Sequence, residues 1–304
     1  MTSSLRALGE FGLIRRLTRH LRTDRSVIRG VGDDAAVLRV SPRRAWLLSM
    51  DMLVEGVHFR RSQATPYQIG WKAMACGVSD IAAMGGRPRF AAVSVGLPRR
   101  LALAEADGIY RGLTSAAGRF RVNLVGGDTV RAPQLVVDVA IIGEAQPGEI
   151  VLRSGARVGD RLLVTGRLGG SYASRKHLTF TPRLRESQYV VRHARPNAMM
   201  DLSDGLASDL WRIAEASRVA LVVDEAKIPV ARAAGTVWHA LMDGEDYELL
   251  FALPPRRAAG LLQAKPHWLQ VTDIGVVAGR GTNVQLLTKG GRLRVLRPEG
   301  FKHF

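Results

Sequence analysis

The sequence is poor in cysteine and lysine: Cys76 is its one cysteine, and only six of its 44 basic residues are lysines. A single cysteine cannot form an intramolecular disulfide, and no Cys/His spacing resembles a zinc site. No window approaches eighteen consecutive apolar residues, and the N-terminus has no apolar stretch followed by a small-residue cleavage site. These absences predict a cytoplasmic protein without a membrane span, a signal peptide, a disulfide or a bound zinc.

Acidic residues are also in the minority, which gives a formal net charge of +17. Such a charge can indicate a nucleic-acid-binding protein, which requires clustered basic residues. Here the arginines are scattered as singles and pairs, such as Arg15-Arg16, Arg60-Arg61 and Arg256-Arg257, with no basic run. This pattern favours a solvated arginine surface that attracts polyphosphate ligands, and nucleic-acid binding stays as the alternative.

Both common ATP-binding signatures are missing. There is no GxxxxGK[ST] loop and no kinase-type glycine-rich loop with its Lys and HRD companions. The Gly-rich turn at 166–171 is weak evidence, because a plain strand-to-helix connection has the same composition. Any ATP-dependent function must therefore be argued from other residues.

What is present is the composition of a globular protein, 46% hydrophobic and 23% charged over 304 residues, a length that suits two domains. Apolar periodicity predicts a mixed α/β protein in two parts, 1–147 and 148–304, with a hinge at Gln146-Pro147-Gly148-Glu149. The predicted strands are 36–40, 45–53, 90–97, 122–125, 135–142, 161–165, 220–223, 248–253, 284–287 and 293–296, and the predicted helices are 67–84, 102–119, 183–193 and 206–217.

The most informative feature is a set of aspartates in segments that read as short turns at the ends of strands. Any one of them could cap a helix or close an Asx turn, but their repetition favours a shared site. Converging carboxylates repel one another unless hard cations neutralise them, and Mg²⁺ prefers such oxygen ligands and bridges the phosphates of ATP. The set comprises Asp33, Asp34, Asp51, Asp80, Asp128, Asp201 and Asp204.

At these residues the sequence resembles the thiamine-monophosphate kinases, members of the superfamily of aminoimidazole ribonucleotide synthetase. The resemblance runs from Gly9 to the C-terminus in family order. Each segment alone is weak, but the ordered set is highly specific. The matching segments are GEFGLI, GVGDDAAVL, SMDMLVEGVHF, WKAMACGVSDIAAMGGRPR, LVGGDTVR, RSGARVGDRLLVTGRLG, MDLSDGLASDL, GEDYELLF and the terminal GFKHF.

The resemblance implies a two-domain aminoimidazole ribonucleotide synthetase-like fold, with an N-terminal α/β domain that dimerises and binds ATP and a C-terminal α/β domain that closes over the site. It implies ATP-dependent phosphorylation of thiamine monophosphate by direct in-line transfer, with several Mg²⁺ ions, in a homodimer. By the same resemblance the metal ligands are Asp34, Ser49, Met50, Asp51, Asp80, Asp128, Asp201 and Asp204; the ATP contacts are Gly127, Asp128, Arg153, Ser203 and Tyr110; and the substrate contacts are His58, Glu245 and Pro298.

The chain departs from the family pattern at several positions. Gly77 replaces an Asn, Met50 replaces a Thr, so that only its backbone carbonyl can be a ligand, and Pro298 replaces an aromatic residue. The stretch between Gly170 and Arg183 is also shorter than usual. The alternative is therefore another ATP-using superfamily member with a different acceptor, although a selenophosphate synthetase would carry its reactive Cys in a Gly-rich N-terminal loop.

Overall fold

The computed structural model describes residues 5–301, without the side chains of residues 5–8 and 11. Residues 302–304, which end the GFKHF segment, lie outside it. Two β-sheets with helices packed on them form the fold, which confirms the mixed α/β class. Among the described residues, none of the helices combines the length and hydropathy needed to span a bilayer.

The first sheet is built from the first half of the chain, after helix α1 (Leu5–Thr18). Its order is β1-β2-β3-β6-β4-β5, with β4 and β5 parallel and the other pairs antiparallel. Helices α2 (Pro66–Ala83) and α3 (Leu103–Phe120) belong to this half. The strands are β1 (Val27–Arg29), β2 (Ala36–Ser41), β3 (Arg44–Val54), β4 (Arg87–Leu97), β5 (Asn123–Arg131) and β6 (Val136–Ala145).

The second sheet has the order β13-β12-β9-β11-β7-β10-β8, in which only β9 and β12 are parallel. Its strands are β7 (Arg161–Thr165), β8 (Ala198–Asp201), β9 (Val219–Asp224), β10 (Leu249–Leu253), β11 (Val271–Arg280), β12 (Asn283–Leu287) and β13 (Leu293–Val295). Its helices are α4 (Leu184–His193), α5 (Leu206–Ser217), α6 (Val237–Met242) and α7 (Pro255–Ala264).

Every strand and helix predicted from the pattern is present, but six elements were missed: α1, β1, β8, α6, α7 and β11. Strand β11 has the longest run among the missed strands, and bulges interrupt its pairing next to Gly275 and Gly279. A bulge breaks the alternation of buried and exposed residues on which a strand prediction depends. Strand β8 is buried at all four positions and therefore shows no alternation either.

Helix α2 is the central element of the molecule. Thr65 and Gln68 form a capping box at its start, and Pro66 occupies its first turn. Thirteen of its 18 residues are buried, because it packs on the first sheet and α3 on one side and on β8 and α4 on the other. Side chains of α2 therefore reach both halves of the chain.

Helices α2 and α3 touch through glycines. A Cβ added at Gly70 would lie 1.9 Å from the Ile109 carbonyl oxygen, and one added at Gly112 would lie 2.0 Å from the Tyr67 carbonyl oxygen. The two glycines inside α3, Gly108 and Gly112, weakened the sequence-based prediction of this helix. Gly112 is needed because the helix backbones meet there.

We expect Gly112→Ala to destabilise the protein by about 2–4 kcal/mol, although alanine is the better helix former by about 1 kcal/mol, because the clash is with backbone that cannot move aside. Gly118→Ala in the same helix is the matched control: a Cβ there meets no atom within 4 Å, and a small stabilisation is expected. Urea denaturation of both variants measures the difference. Equal stabilities would contradict the close approach of the two helices.

Candidate active site

One row of side chains on α2 faces the C-terminal half of the chain. Lys72, Cys76 and Asp80 recur at every fourth position, which places them on one side of the helix. Cys76 Sγ contacts the Tyr247 hydroxyl at 3.1 Å, and neighbouring Ser79 donates to Asp201 Oδ2 at 2.5 Å. The row thus contacts the C-terminal half from a helix of the N-terminal half.

Three predicted metal ligands meet at the end of this row. Oxygen atoms of Asp34, Asp80 and Asp201 lie within 4.8 Å of one another. Asp34 precedes β2, Asp80 belongs to α2 and Asp201 ends β8, so each carboxylate comes from a different element. Ser49 on β3 donates a hydrogen bond to Asp80 from the other side.

Burial and mutual repulsion disfavour the ionised forms of these acids. Burial, with repulsion from neighbouring carboxylates, raises the pKa of Asp51 to about 6 and the pKa of Asp201 to about 7. The pKa of Asp80 is raised well above its ordinary value by burial and by repulsion from Asp51, Asp201 and Asp34. Such a group of carboxylates is strongly destabilised when ionised unless a cation joins it.

The donor set fits magnesium. Asp34 Oδ2 and Asp51 Oδ2 are buried and have no hydrogen-bond partner among residues 5–301. A buried carboxylate oxygen without a donor is costly, and a hard divalent cation satisfies it with the oxygen ligation that Mg²⁺ prefers. The cluster therefore has the chemistry and the free ligand atoms of a magnesium site.

Arg153 supplies the one guanidinium bonded to this cluster among the described residues. Its Nη2 lies 2.5 Å from Asp34 Oδ1, while its backbone N–H donates to Asp33 Oδ1 at 2.6 Å. Asp33 also accepts from Arg29 Nε at 2.7 Å, so Asp33 holds the loop in place and Asp34 remains directed at the cluster. A planar guanidinium at this point can also grip phosphate oxygens.

A second group of contacts joins the predicted substrate residues. Lys72 Nζ lies 2.6 Å from Glu245 Oε1 and 2.9 Å from the His58 carbonyl oxygen. His58 Nδ1 accepts from the backbone N–H of Val54 at 3.0 Å, which orients the imidazole. Phe301 lies beside this imidazole, with ring centroids 6.3 Å apart.

Residues of both groups line one cavity of about 470 Å³ between the two sheets, although Lys72 itself is not among the lining residues. Most of the predicted site residues are brought together there. They are Asp34, Ser49, Met50, Asp51, His58, Asp80, Arg153, Asp201, Ser203, Asp204 and Glu245. The Met50 side chain is 65% exposed on the opposite face of β3, which agrees with a role for its backbone alone.

Four predicted residues lie outside this cavity. Gly127 and Asp128 belong to β5, the exposed edge strand, where Asp128 Oδ1 accepts from the backbone N–H of Thr129. Tyr110 is 42% exposed on α3, and Pro298 is exposed near the C-terminus. Their predicted contacts with ATP or substrate remain predictions.

The expectation that all these aspartates lie in turns was wrong for three of them. Asp51 lies inside β3, Asp80 inside α2 and Asp128 inside β5. Flanking glycine and serine residues suggested turns. Gly127, however, is required by the close packing of two strands, because a Cβ there would lie 1.7 Å from the Val93 carbonyl oxygen. Of the carboxylates that converge, Asp80 comes from helix α2 and Asp201 from the end of β8, whereas Asp34 comes from the bend before β2.

The sequence reasoning missed two cavity residues, Asp209 and Arg212. It also missed Lys72, which contacts two residues of the cavity lining, His58 and Glu245. Burial, with repulsion from Asp204 and Asp201, raises the pKa of Asp209 well above its ordinary value, so it belongs electrostatically to the cluster. The spacing in DLSDGLASDL could have indicated it, because Asp209 falls in the first turn of α5, where acids usually interact with the helix end. The lysine within the apolar segment WKAMAC was a comparable signal for Lys72, because a charged residue stands out in an apolar run.

Comparison with known proteins first shows the class of protein to which the chain belongs. The family model of the AIR synthase related protein N-terminal domain matches residues 32–145, and that of the C-terminal domain matches residues 157–286. The chain is also 35% identical to the thiamine-monophosphate kinase of Bacillus subtilis (strain 168), over 98% of this chain and 100% of that protein. With the enzyme of Mycobacterium tuberculosis the identity is 39% over 81% of each chain.

The solved structures agree. AaThiL complexed with AMPPCP and TMP is 32% identical, with a TM-score of 0.86 and complete coverage of both chains. Thiamine monophosphate kinase from Aquifex aeolicus is 30% identical, with a TM-score of 0.78 over 93% of this chain and 97% of that one. The chain belongs to the thiamine-monophosphate kinase family.

Proposed function

We propose that this chain transfers the γ-phosphoryl group of ATP to thiamine monophosphate, which yields thiamine diphosphate and ADP, the last step in making that coenzyme. The observation that carries the proposal is the carboxylate cluster of Asp34, Asp80 and Asp201 in a cavity that also contains Arg153. The complex of AaThiL with AMPPCP, an ATP analogue, and TMP supports both substrates.

We infer that Mg²⁺ is held by the three clustered aspartates together with further oxygen ligands. Mg²⁺ bound there would offset the negative charge of the phosphates and favour in-line transfer of the phosphoryl group. Two buried carboxylate oxygens have no hydrogen-bond partner among residues 5–301 and would be available to it, one on Asp34 of the cluster and one on neighbouring Asp51. The remaining proposed ligands are Ser49, Met50, Asp128 and Asp204.

The protein's own groups then orient two anionic substrates. Arg153 is proposed to hold a phosphate of ATP with Nη1, because its Nε and Nη2 donate to Asp34 Oδ1. Ser203, Gly127, Asp128 and Tyr110 stay as proposed ATP contacts. His58, Glu245 and Pro298 are the proposed contacts of thiamine monophosphate.

No strong general base is required for the attack. A phosphate monoester has its second pKa near ~6, so at neutral pH the acceptor is largely dianionic and its oxygen can attack the γ-phosphorus directly. We therefore propose transfer without a covalent enzyme intermediate. This agrees with a cavity whose titratable groups suit cation binding and substrate orientation.

We further propose a cytoplasmic homodimer that uses the uncovered face of the first sheet. On β3 the side chains alternate, so that Trp46, Leu48, Met50 and Met52 are exposed while their neighbours are buried against α2. An apolar strip of this kind on a sheet favours burial against a second surface. The division into domains 1–147 and 148–304 is part of the same proposal.

Purified protein should move label from γ-labelled ATP into thiamine diphosphate only when Mg²⁺ is present, with thiamine esters separated chromatographically. Thiamine itself, which lacks the acceptor phosphate, is the matched control substrate. Binding of ATP without any transfer to thiamine monophosphate would contradict the proposal and would indicate another acceptor used by the superfamily.

A further inference from the structure

Lys72 is a charged residue in the interior of the protein. It lies in the middle of α2 and is 0% exposed. A lysine is almost never fully buried unless a partner compensates its charge. Its ammonium group contacts Glu245 Oε1 at 2.6 Å and the His58 carbonyl oxygen at 2.9 Å.

These two partners lie in segments that are far apart in sequence but line the same cavity. His58 belongs to the loop between β3 and α2, and Glu245 belongs to the turn between α6 and β10. Lys72 thus joins both segments to the helix that also supplies Asp80 to the carboxylate cluster.

The turn that carries Glu245 needs to be held in place. Gly244, Glu245 and Tyr247 all have positive φ, at 70°, 52° and 49°. Such angles are unfavourable for side chains larger than glycine and persist when surrounding contacts over-determine them, as happens at ligand sites. Here the backbone N–H of Glu245 donates to Ser203 O at 2.6 Å.

Side chains add to this restraint. The Cys76 thiol contacts the Tyr247 hydroxyl, and Ser171 Oγ donates to the Glu245 carbonyl oxygen at 2.7 Å. Tyr247 also stacks on Phe180, with ring centroids 3.8 Å apart. Lys72 adds a cationic contact to the turn, and the same ammonium group also contacts the His58 loop.

We propose that Lys72 is a positioning residue for the phosphate acceptor: it fixes the Glu245 turn relative to the His58 loop and so sets the affinity for thiamine monophosphate, with little effect on ATP. This rests on the proposed function. One oxygen of Glu245 is taken by Lys72, while Oε2 has no partner among residues 5–301 and stays available to a donor on the acceptor.

Lys72→Met keeps the length of the side chain and removes the ammonium group. We expect the KM for thiamine monophosphate to rise by about tenfold or more, with the KM for ATP changed less than about twofold, because a uniform loss of acceptor binding appears in KM. Lys72→Gln, which keeps a donor for the His58 carbonyl, should show the same split more weakly. Should the methionine variant fail to fold, the glutamine variant makes the test.

The matched control is Lys176→Met. Lys176 also pairs with a buried glutamate, at 3.0 Å from Glu248 Oε1, but this glutamate, unlike Glu245, does not line the cavity. This variant should lose stability without a change in either KM. Equal changes of both KM values in the Lys72 variants, or lower kcat with both KM values unchanged, would overturn the positioning role.

A double-variant cycle tests whether Lys72 acts through Glu245. If it does, Lys72→Met should add less than about twofold to the acceptor KM of Glu245→Gln, because residues in contact are not additive. Independent, multiplicative effects of the two substitutions would contradict the proposal.

Cys76 gives a readout that does not depend on catalysis. It is the single cysteine of the chain and is 4% exposed beside Tyr247. Loss of the Lys72 contact should accelerate labelling of this thiol by about tenfold under native conditions, since local opening controls access. Lys176→Met should not do so. An unchanged labelling rate in the Lys72 variants would count against the positioning role even if the wild-type protein proved to use another acceptor.

Discussion

Asp80→Asn is expected to lower turnover by about 100- to 1,000-fold while the protein stays folded. A carboxylate oxygen of Asp80 lies within 4.8 Å of oxygens of Asp34 and Asp201. Burial and repulsion from neighbouring carboxylates also raise the pKa of Asp80 well above its ordinary value. An amide has the same size but one negative charge less, and loss of charge stabilisation in a transition state has effects of about this order. Steady-state assays at saturating ATP and Mg²⁺ measure the loss.

The same substitution should stabilise the protein when no Mg²⁺ is present, because it removes repulsion between buried carboxylates. Asp160→Asn is the matched control. Asp160 is 4% exposed and accepts from Asn197 and the backbone of Arg157, away from the cavity. Its turnover should stay within about twofold of wild type. Near-normal turnover of Asp80→Asn would refute the assignment of this cluster to magnesium.

The strands and helices that the sequence predicted correctly are mainly those with a clear pattern of apolar residues. Helix α5 and strand β7 were predicted at the bounds that the structure has. Helix α5 buries one face, whereas β7 is buried at its last four residues and was visible as a short apolar run before a Gly-rich turn. Strand β11 was missed because its bulges break the alternation, although it occupies a central place in the second sheet. Periodicity reports one-sided burial, and irregular or wholly buried strands do not show it.

The residues of the candidate site were predicted from a different signal than the strands and helices. Chemical type identified the aspartates, since carboxylate oxygens suit a magnesium–triphosphate site, and the resemblance supplied their order. Neither chemical type nor the resemblance revealed which aspartates lie close together. Asp34, Asp80 and Asp201 converge, while Asp128 lies on an edge strand. That outcome depends on how α2 packs between the two sheets. Lys72 was missed for the same reason, because its partners come from distant segments.

We expect the stability of the protein without Mg²⁺ to fall by about 2–4 kcal/mol as pH rises from about 5 to about 8. Burial raises the folded-state pKa of Asp51 to about 6 and that of Asp201 to about 7. Because these values exceed those of the unfolded chain, the folded protein holds protons that the unfolded chain has released. The resulting stability is present at low pH and is lost as pH rises through the folded-state pKa values.

Mg²⁺ should reverse this loss, because it binds the ionised cluster and replaces its protons. The increase in melting temperature on adding Mg²⁺ should therefore be several degrees at pH 8 and small at pH 5, measured by calorimetry in matched buffers. Burial also raises the pKa of Asp246 to about 7, but Asp246 accepts from Gly169 outside the cavity, so its contribution should not respond to Mg²⁺. Asp80→Asn should reduce the increase in melting temperature that Mg²⁺ causes at pH 8. A shift equal at both pH values would mean that Mg²⁺ acts elsewhere.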